Sequence, residues 1–195
     1  MRSRNARMQG LRSCLGSDPA GNLYVPRRKA REDPYRLAPG IRCDWTRFLR
    51  LVEDALPQGT AGLTDLEKAL TLVRGKPFGG RPLPWAEPHA QEMITRIIDV
   101  AHTIATHRIP PGPHHDLAAA RRAITTGLDA DPTAELLYRD WMRLEAAHNN
   151  RTGLHTAVTR IQQVNRDLDC SLELETSQLI EHLLHHPNTA ENTTR

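Results

Sequence analysis

Aromatic side chains are scarce: Phe, Trp and Tyr make up 4% of the 195 residues. A core must therefore be assembled from Leu, Ile, Val and Ala. That favours packed helices over sandwiches or barrels, whose strands lean on aromatic and β-branched residues. Hydrophobic content is 38%, low for a globular chain yet too high for a disordered one. No apolar run approaches the roughly 20 residues of a membrane span. The basic opening MRSRNARMQG is not followed by an apolar stretch and does not read as a secretory signal, so a cytoplasmic setting is expected.

Cysteine is also sparse. Cys14, Cys43 and Cys170 are odd in number, widely spaced and form no CxxC pair, which argues against a disulfide framework and a cysteine-based zinc site. Buried or half-buried free thiols in a reducing compartment are expected. Catalytic signatures are missing as well. Serines are few and no GxSxG occurs, and Gly75-Lys76 with Gly79-Gly80 does not meet the GxxxxGK[ST] spacing of a phosphate loop. Of ten histidines, His114-His115 and His185-His186 are adjacent pairs, and His182 with His186 has i, i+4 spacing. No third ligand and no HExxH accompanies them, so they read as surface histidines and no metal is expected. No cofactor and no enzymatic activity is expected either.

What is present is an uneven charge. The net +3 divides into a basic start and an acidic remainder. Residues 1–50 hold twelve Lys or Arg against four Asp or Glu; residues 51–195 hold fourteen against nineteen. Such a split suggests two segments with different partners, of which only the first suits phosphates. Its candidate DNA contacts are Arg4, Arg7, Arg12, Arg27, Arg28, Lys29 and Arg31, of which the last four form the densest cluster. Phosphate contacts of this kind give affinity that falls steeply with salt and carry no sequence information. The competing reading is a solvated loop.

Periodicity then assigns the elements. NARMQGLRSCLG reads as the end of a helix stopped by Gly16. LYVP, the charged RRKARE and YRLAPG read as strand, tip and strand of a small basic hairpin, confined to edges by Pro26 and Pro34. From Asp44 the apolar residues fall at helical spacing: Trp45, Phe48, Leu49, Val52 and Leu56, then Leu66, Ala69, Leu70 and Val73. An irregular bridge follows, holding Gly75, Pro77, Gly79, Gly80, Pro82, Pro84 and Pro88, with Trp85 among them. Five helices are predicted beyond it. The first, over residues 86–107, is about 33 Å long. Later ones start near 116, 132, 152 and 173, with Asp116 and Asp131-Pro132 as N-terminal caps. Short connections make neighbours antiparallel, and the spacing is close to half a tetratricopeptide unit, although that repeat's Trp-Leu-Gly-Tyr signature is absent. Tyr138 and Trp141 fit the core stripe of Leu137 and Leu144, with a ligand groove as the competing role. Arg121, Arg122, Arg139 and Arg143 are candidates for a partner-facing surface, with solvated arginines as the alternative.

The run ALTLVRGKPFGG, followed by PWAEPHAQEM, resembles the entry to the bacterial transcriptional activator domain of the streptomycete antibiotic regulatory protein family. The positions carrying the likeness are Leu72, Gly75, Pro77, Phe78, Trp85, Ala86 and Glu87. The stretches DLAAARRAITTGLDADPTAELLYRDWMRLEAAHNN and TRIQQVNRDLDCSLELETSQLIEHLL are similar to its remainder. The resemblance implies an all-α, tetratricopeptide-like helical hairpin array over residues 44–186. Before it, over residues 1–43, would come the basic remnant of a winged helix-turn-helix module: the end of a recognition helix, LRSCLG, and the hairpin as its wing. The module's earlier helices are missing, so the sequence is expected to begin inside it. Residues 187–195 read as a disordered tail. Trp85 is expected as the buried anchor of the bridge, Pro88 in the first turn of the next helix and Trp141 as a core anchor. The implied role is non-enzymatic and transcription-associated, through a protein partner or self-association, with weak DNA contact at most. The alternative is an interaction scaffold with no DNA role, the C-terminal part of a larger LysM-bearing or membrane-associated protein.

Overall fold

The computed structural model describes residues 4–28, 30 and 34–185. Eight α-helices lie among them: α1 (Arg4–Leu15), α2 (Asp44–Ala55), α3 (Leu63–Leu70), α4 (Glu87–Arg108), α5 (Leu117–Ala130), α6 (Glu135–Ala147), α7 (Arg151–Asp167) and α8 (Leu174–His185). The chain is all-α and forms two compact units, one ending at Arg47 and one starting at Phe48. No helix among the described residues is long and apolar enough to cross a membrane.

In the first unit, Gly16 ends α1 in a left-handed conformation, φ 74°. Only there does the backbone curl back without a Cβ penalty, and the Gly16 N–H donates to the Arg12 carbonyl at 2.9 Å. A turn follows in which the Asp18 carboxylate accepts from the N–H groups of Ala20 and Asn22 at 3.0 and 2.8 Å. The expected basic hairpin is not found: the described residues hold no strand, only an isolated antiparallel bridge between Ser17 and Leu23. The segments meant to pair share one bond, Ala38 N–H to the Tyr24 carbonyl at 2.8 Å. Pro26 and Pro34 lack the N–H a ladder needs on either side of the charged tip. Lys29 and residues 31–33 of that tip lie outside the described residues, as does the tail assigned to 187–195.

In the second unit, α4 is the central helix, packed on α3, α5 and α6, while α6 also carries α7 and α8. Ile97, Val100, Ala101, Ile104 and Ala105 form the buried side of α4. They meet Ala120, Ala123 and Ile124 of α5 and Leu137, Met142 and Leu144 of α6 in one aliphatic core. Each fully buried Ile, Val, Leu or Met side chain among them contributes about 1.5–3 kcal/mol. Asp116 caps α5 by accepting from Ala119 N–H at 2.9 Å, and Asn150 caps α7 by accepting from Gly153 N–H at 3.1 Å. Asp131 does not cap α6. Its carboxylate is taken by the N–H and hydroxyl of Thr133, at 2.9 and 2.7 Å, in a turn that delays α6 to Glu135.

The bridge departs from expectation at its aromatic residue. Trp85 is 71% exposed, whereas Ala86 is 1% exposed and Pro77 is buried. Successive residues at a helix start point about 100° apart. With the inward position falling on Ala86, Trp85 is carried out to solvent. Phe78 adopts a left-handed conformation, φ 54°, and meets Trp85 edge-on at 5.9 Å between ring centroids. Pro88 lies exposed in the first turn of α4, where its missing N–H breaks no helical bond.

Candidate interaction groove and basic segment

An open groove of about 930 Å³ lies between α3 and α5 in the helical unit. Thr64, Lys68 and Thr71 line it from the α3 side, and Arg121, Arg122 and Thr125 from the α5 side. Leu70, Ile104, Ala119 and Ala123, all buried, supply an apolar floor. The carboxylate on its wall, Glu67, is held by Arg108, whose Nη2 and Nε approach Oε1 at 2.7 and 2.8 Å. The remaining lining charge is cationic. The i, i+4 spacing of a helix makes this arrangement: residues 64 and 68 share one face of α3, with Thr71 capping its end, and 118, 121, 122 and 125 share one face of α5.

Behind the groove lies a polar knot centred on Glu145, whose residue is 1% exposed. Arg121 reaches it with both Nη atoms, Nη2 at 3.1 Å. Trp141 Nε1–H donates at 2.8 Å and Asn150 Nδ2–H at 2.7 Å. Burial pushes this carboxyl group up, but the hydrogen bonds from Arg121, Trp141 and Asn150 and the arginine's charge outweigh it, holding Glu145 below the ordinary carboxylate range. Arg121, in turn, is raised by the hydrogen bond to Glu145 and stays charged. The result fixes α5, α6 and the start of α7 to one another. A second buried carboxyl group, Asp140, hydrogen-bonds His102 Nδ1 at 2.7 Å and accepts from Arg143 Nη1–H at 3.2 Å. There burial wins, and Asp140 is pushed up. Arg139 bridges α6 to the start of α8 through Glu173 and, at 2.9 Å, the Thr176 hydroxyl.

The basic residues of the first unit are only partly gathered. Arg12, Arg27 and Arg28 surround a hollow of about 650 Å³ with Met8 and Tyr35. Arg12 is engaged in structure: its Nε and Nη2 donate to the carbonyls of Val25 and Pro26 at 2.9 and 3.2 Å. Arg28 stands 4.5 Å over the Tyr35 ring, a cation–π contact. Arg27 and Arg7 are exposed. Lys29, Arg31 and the side chain of Arg4 lie outside the described residues.

Among the described residues no group of three His, Cys, Asp or Glu side chains is placed to hold a metal ion. The expectation of buried or half-buried thiols is corrected: Cys14, Cys43 and Cys170 are free and exposed. Tyr138 is fully buried, its hydroxyl donating to the Pro132 carbonyl at 3.0 Å, while Trp141 is half-buried with its ring nitrogen on Glu145. Of the four candidate surface arginines, Arg121 and Arg122 line the groove, and Arg139 and Arg143 serve inter-residue bridges. Sequence reasoning missed Glu145, Asp140 and Lys68. The i, i+4 pairing of Trp141 with Glu145 on one helix was the one readable signal.

No curated protein and no solved structure matches the chain. A family description does: the bacterial transcriptional activator domain matches residues 43–186, which takes in all seven helices from α2 to α8. The groove, the Glu145 knot and the bridge all fall inside that span. The chain therefore belongs to the bacterial transcriptional activator domain family, a non-catalytic regulatory domain of transcriptional activators.

Proposed function

We propose that the helical unit regulates transcription in the cytoplasm by protein–protein contact or self-association, and that any DNA contact is restricted to the basic segment before it. The observation that carries this reading is the family match over 43–186, together with a charge that is basic before residue 51 and acidic after it. An acidic stack is poorly suited to lie along phosphates, and a groove with an apolar floor is suited to a protein segment. Of the candidate phosphate contacts, Arg7 and Arg27 are exposed among the described residues.

The experiment has two arms. The chain, fused to an unrelated DNA-binding domain, is tethered upstream of a bacterial reporter promoter, and its self-association is followed by light scattering. A change in transcription or a concentration-dependent oligomer supports the reading; an inert monomer sinks it. Separately, the chain is titrated with random-sequence duplex DNA at increasing salt. Binding that weakens steeply with salt and is reduced in Arg7→Ala/Arg27→Ala supports the DNA contact, and no binding at low salt removes it. A second reading, an interaction scaffold with no DNA role, is favoured by the engagement of Arg12 and Arg28 in contacts within the chain.

A further inference from the structure

We infer that the groove between α3 and α5 is a docking site for an extended acidic peptide segment of a partner protein; this rests on the reading that the helical unit acts through protein contact. Charge complementarity selects the occupant. Residues 51–195 are acidic as a whole, yet the groove presents Lys68, Arg121 and Arg122. Its lining carboxylate, Glu67, is neutralised by Arg108. Lys68 meets Asp65 at 2.8 Å, an exposed pair on one helix turn that contributes little and yields readily to a better partner. The Arg122 guanidinium has no carboxylate partner among the described residues. Arg121 is half exposed, and its charge is compensated by the two-pronged contact with Glu145; it offers its remaining N–H in a fixed position, so little side-chain entropy is lost on binding.

The shape favours a strand of peptide over the other anions. Thr64, Lys68 and Thr71 run for about 10 Å along one wall, and Arg121, Arg122, Thr125 and Thr126 run along the other. The Thr71 and Thr126 hydroxyls donate back to the Lys68 and Arg122 carbonyls, so the donors along the two rails are chiefly Lys68, Arg121 and Arg122; set over an apolar floor, they suit a chain whose side chains alternate between acidic and small apolar. A compact metabolite calls for polar groups converging on one point. A DNA duplex would also meet the acidic remainder of residues 51–195, which repels phosphates. A single peptide strand stays within reach of the lining cations, inside about one Debye length.

Fluorescence anisotropy of the full chain with labelled decapeptide pools tests this. One pool alternates Asp or Glu with Ala or Leu; a second replaces the acids with Gln and Asn; a third with Lys and Arg. The acidic pool is expected to bind and the other two to fail. Arg122→Glu should weaken the acidic pool at least tenfold while its thermal unfolding matches the parent, because Arg122 is exposed. Arg122→Lys should keep most of the affinity. Arg96→Glu, at a half-buried α4 position that does not line the groove, should bind as the parent does. The inference is overturned if the acidic pool binds no better than the amide pool, or if Arg122→Glu has no effect. It is overturned too if Arg96→Glu weakens binding equally, or if citrate at the peptide's own concentration displaces it fully. Failure of the peptide arm with the tethered reporter still responding sinks the groove assignment alone. A silent reporter and a monomeric chain with intact peptide binding sink the transcriptional reading alone.

Discussion

A methyl group added to Gly153 would lie 2.5 Å from Glu145 Oε2 and 2.7 Å from its Cδ. Gly153 sits in the first turn of α7, and the absence of a side chain there lets the helix start press against the buried carboxylate. An ordinary Gly→Ala change inside a helix stabilises by about 0.5–1 kcal/mol. Here the sign should reverse. Asn150 and Glu145 must both move, and both are tied to other groups. Gly153→Ala is expected to lose about 1–3 kcal/mol in urea unfolding. A stabilised variant would refute the close packing of α7 on the knot.

Glu145 itself should shape the acid limb of stability. Its folded-state pKa lies below its ordinary value of 4.5. The stabilisation it supplies is therefore fully present above about pH 4.5 and is lost as pH falls through the folded value. Asp140 runs the other way. Burial raises it, so its ionised form costs stability above the folded value and acid relieves that cost. Glu145→Gln should be less stable at neutral pH by about 1.5–3 kcal/mol, because charge-assisted bonds to Arg121 are lost. It should also be less sensitive to acid than the parent. Urea midpoints at pH 7, 5, 4 and 3 measure both effects, and parallel curves for variant and parent would contradict the assignment.

Trp85→Ala provides a contrast with the aliphatic core. A buried tryptophan truncated to alanine loses about 3–5 kcal/mol. Trp85 is 71% exposed and touches Phe78 edge-on, so its truncation should lose no more than about 1 kcal/mol. Ala86, next to it and buried, should be the sensitive position. Ala86→Leu overpacks the head of α4 and is expected to lose about 1–3 kcal/mol. Thermal unfolding of the two variants side by side decides between an anchor at 85 and one at 86.

What could be read from the sequence was mostly periodic. The stripe from Ile97 to Ala105 and the Asp116 cap each depend on residues within a few positions of one another, so local spacing reveals them. The direction of Trp85 was not legible. It depends on the left-handed run from Phe78 to Gly80 and on how the turn just before α4 faces, and a Gly/Pro-rich bridge leaves both open. Asp131-Pro132 offered the local signs of a helix start, yet Thr133 competed successfully for the Asp131 carboxylate. The groove was legible only as a set of arginines. That Arg121 is held by Glu145 while Arg122 is left available depends on a contact 24 residues apart in the chain. No periodicity encodes such a contact.

Asn150 has two duties that one substitution separates. Its side-chain oxygen caps α7 by accepting from Gly153 N–H at 3.1 Å, and its amide nitrogen donates to Glu145 at 2.7 Å. Asn150→Asp keeps the capping oxygen and places a second carboxylate oxygen where the donor was. Two carboxylates at that distance cannot both ionise cheaply, so one must hold a proton with a raised pKa. A raised folded-state pKa contributes stability that is present at low pH and lost as pH climbs through it. The variant should thus be destabilised at pH 7 and recover towards pH 5, opposite in slope to the contribution of Glu145 in the parent. Asn150→Ala removes cap and donor together and should be destabilised at both pH values, by about 1–2 kcal/mol for the cap alone. If Asn150→Asp were as stable as the parent at pH 7, the amide-to-carboxylate bond would not be part of what joins α7 to α6.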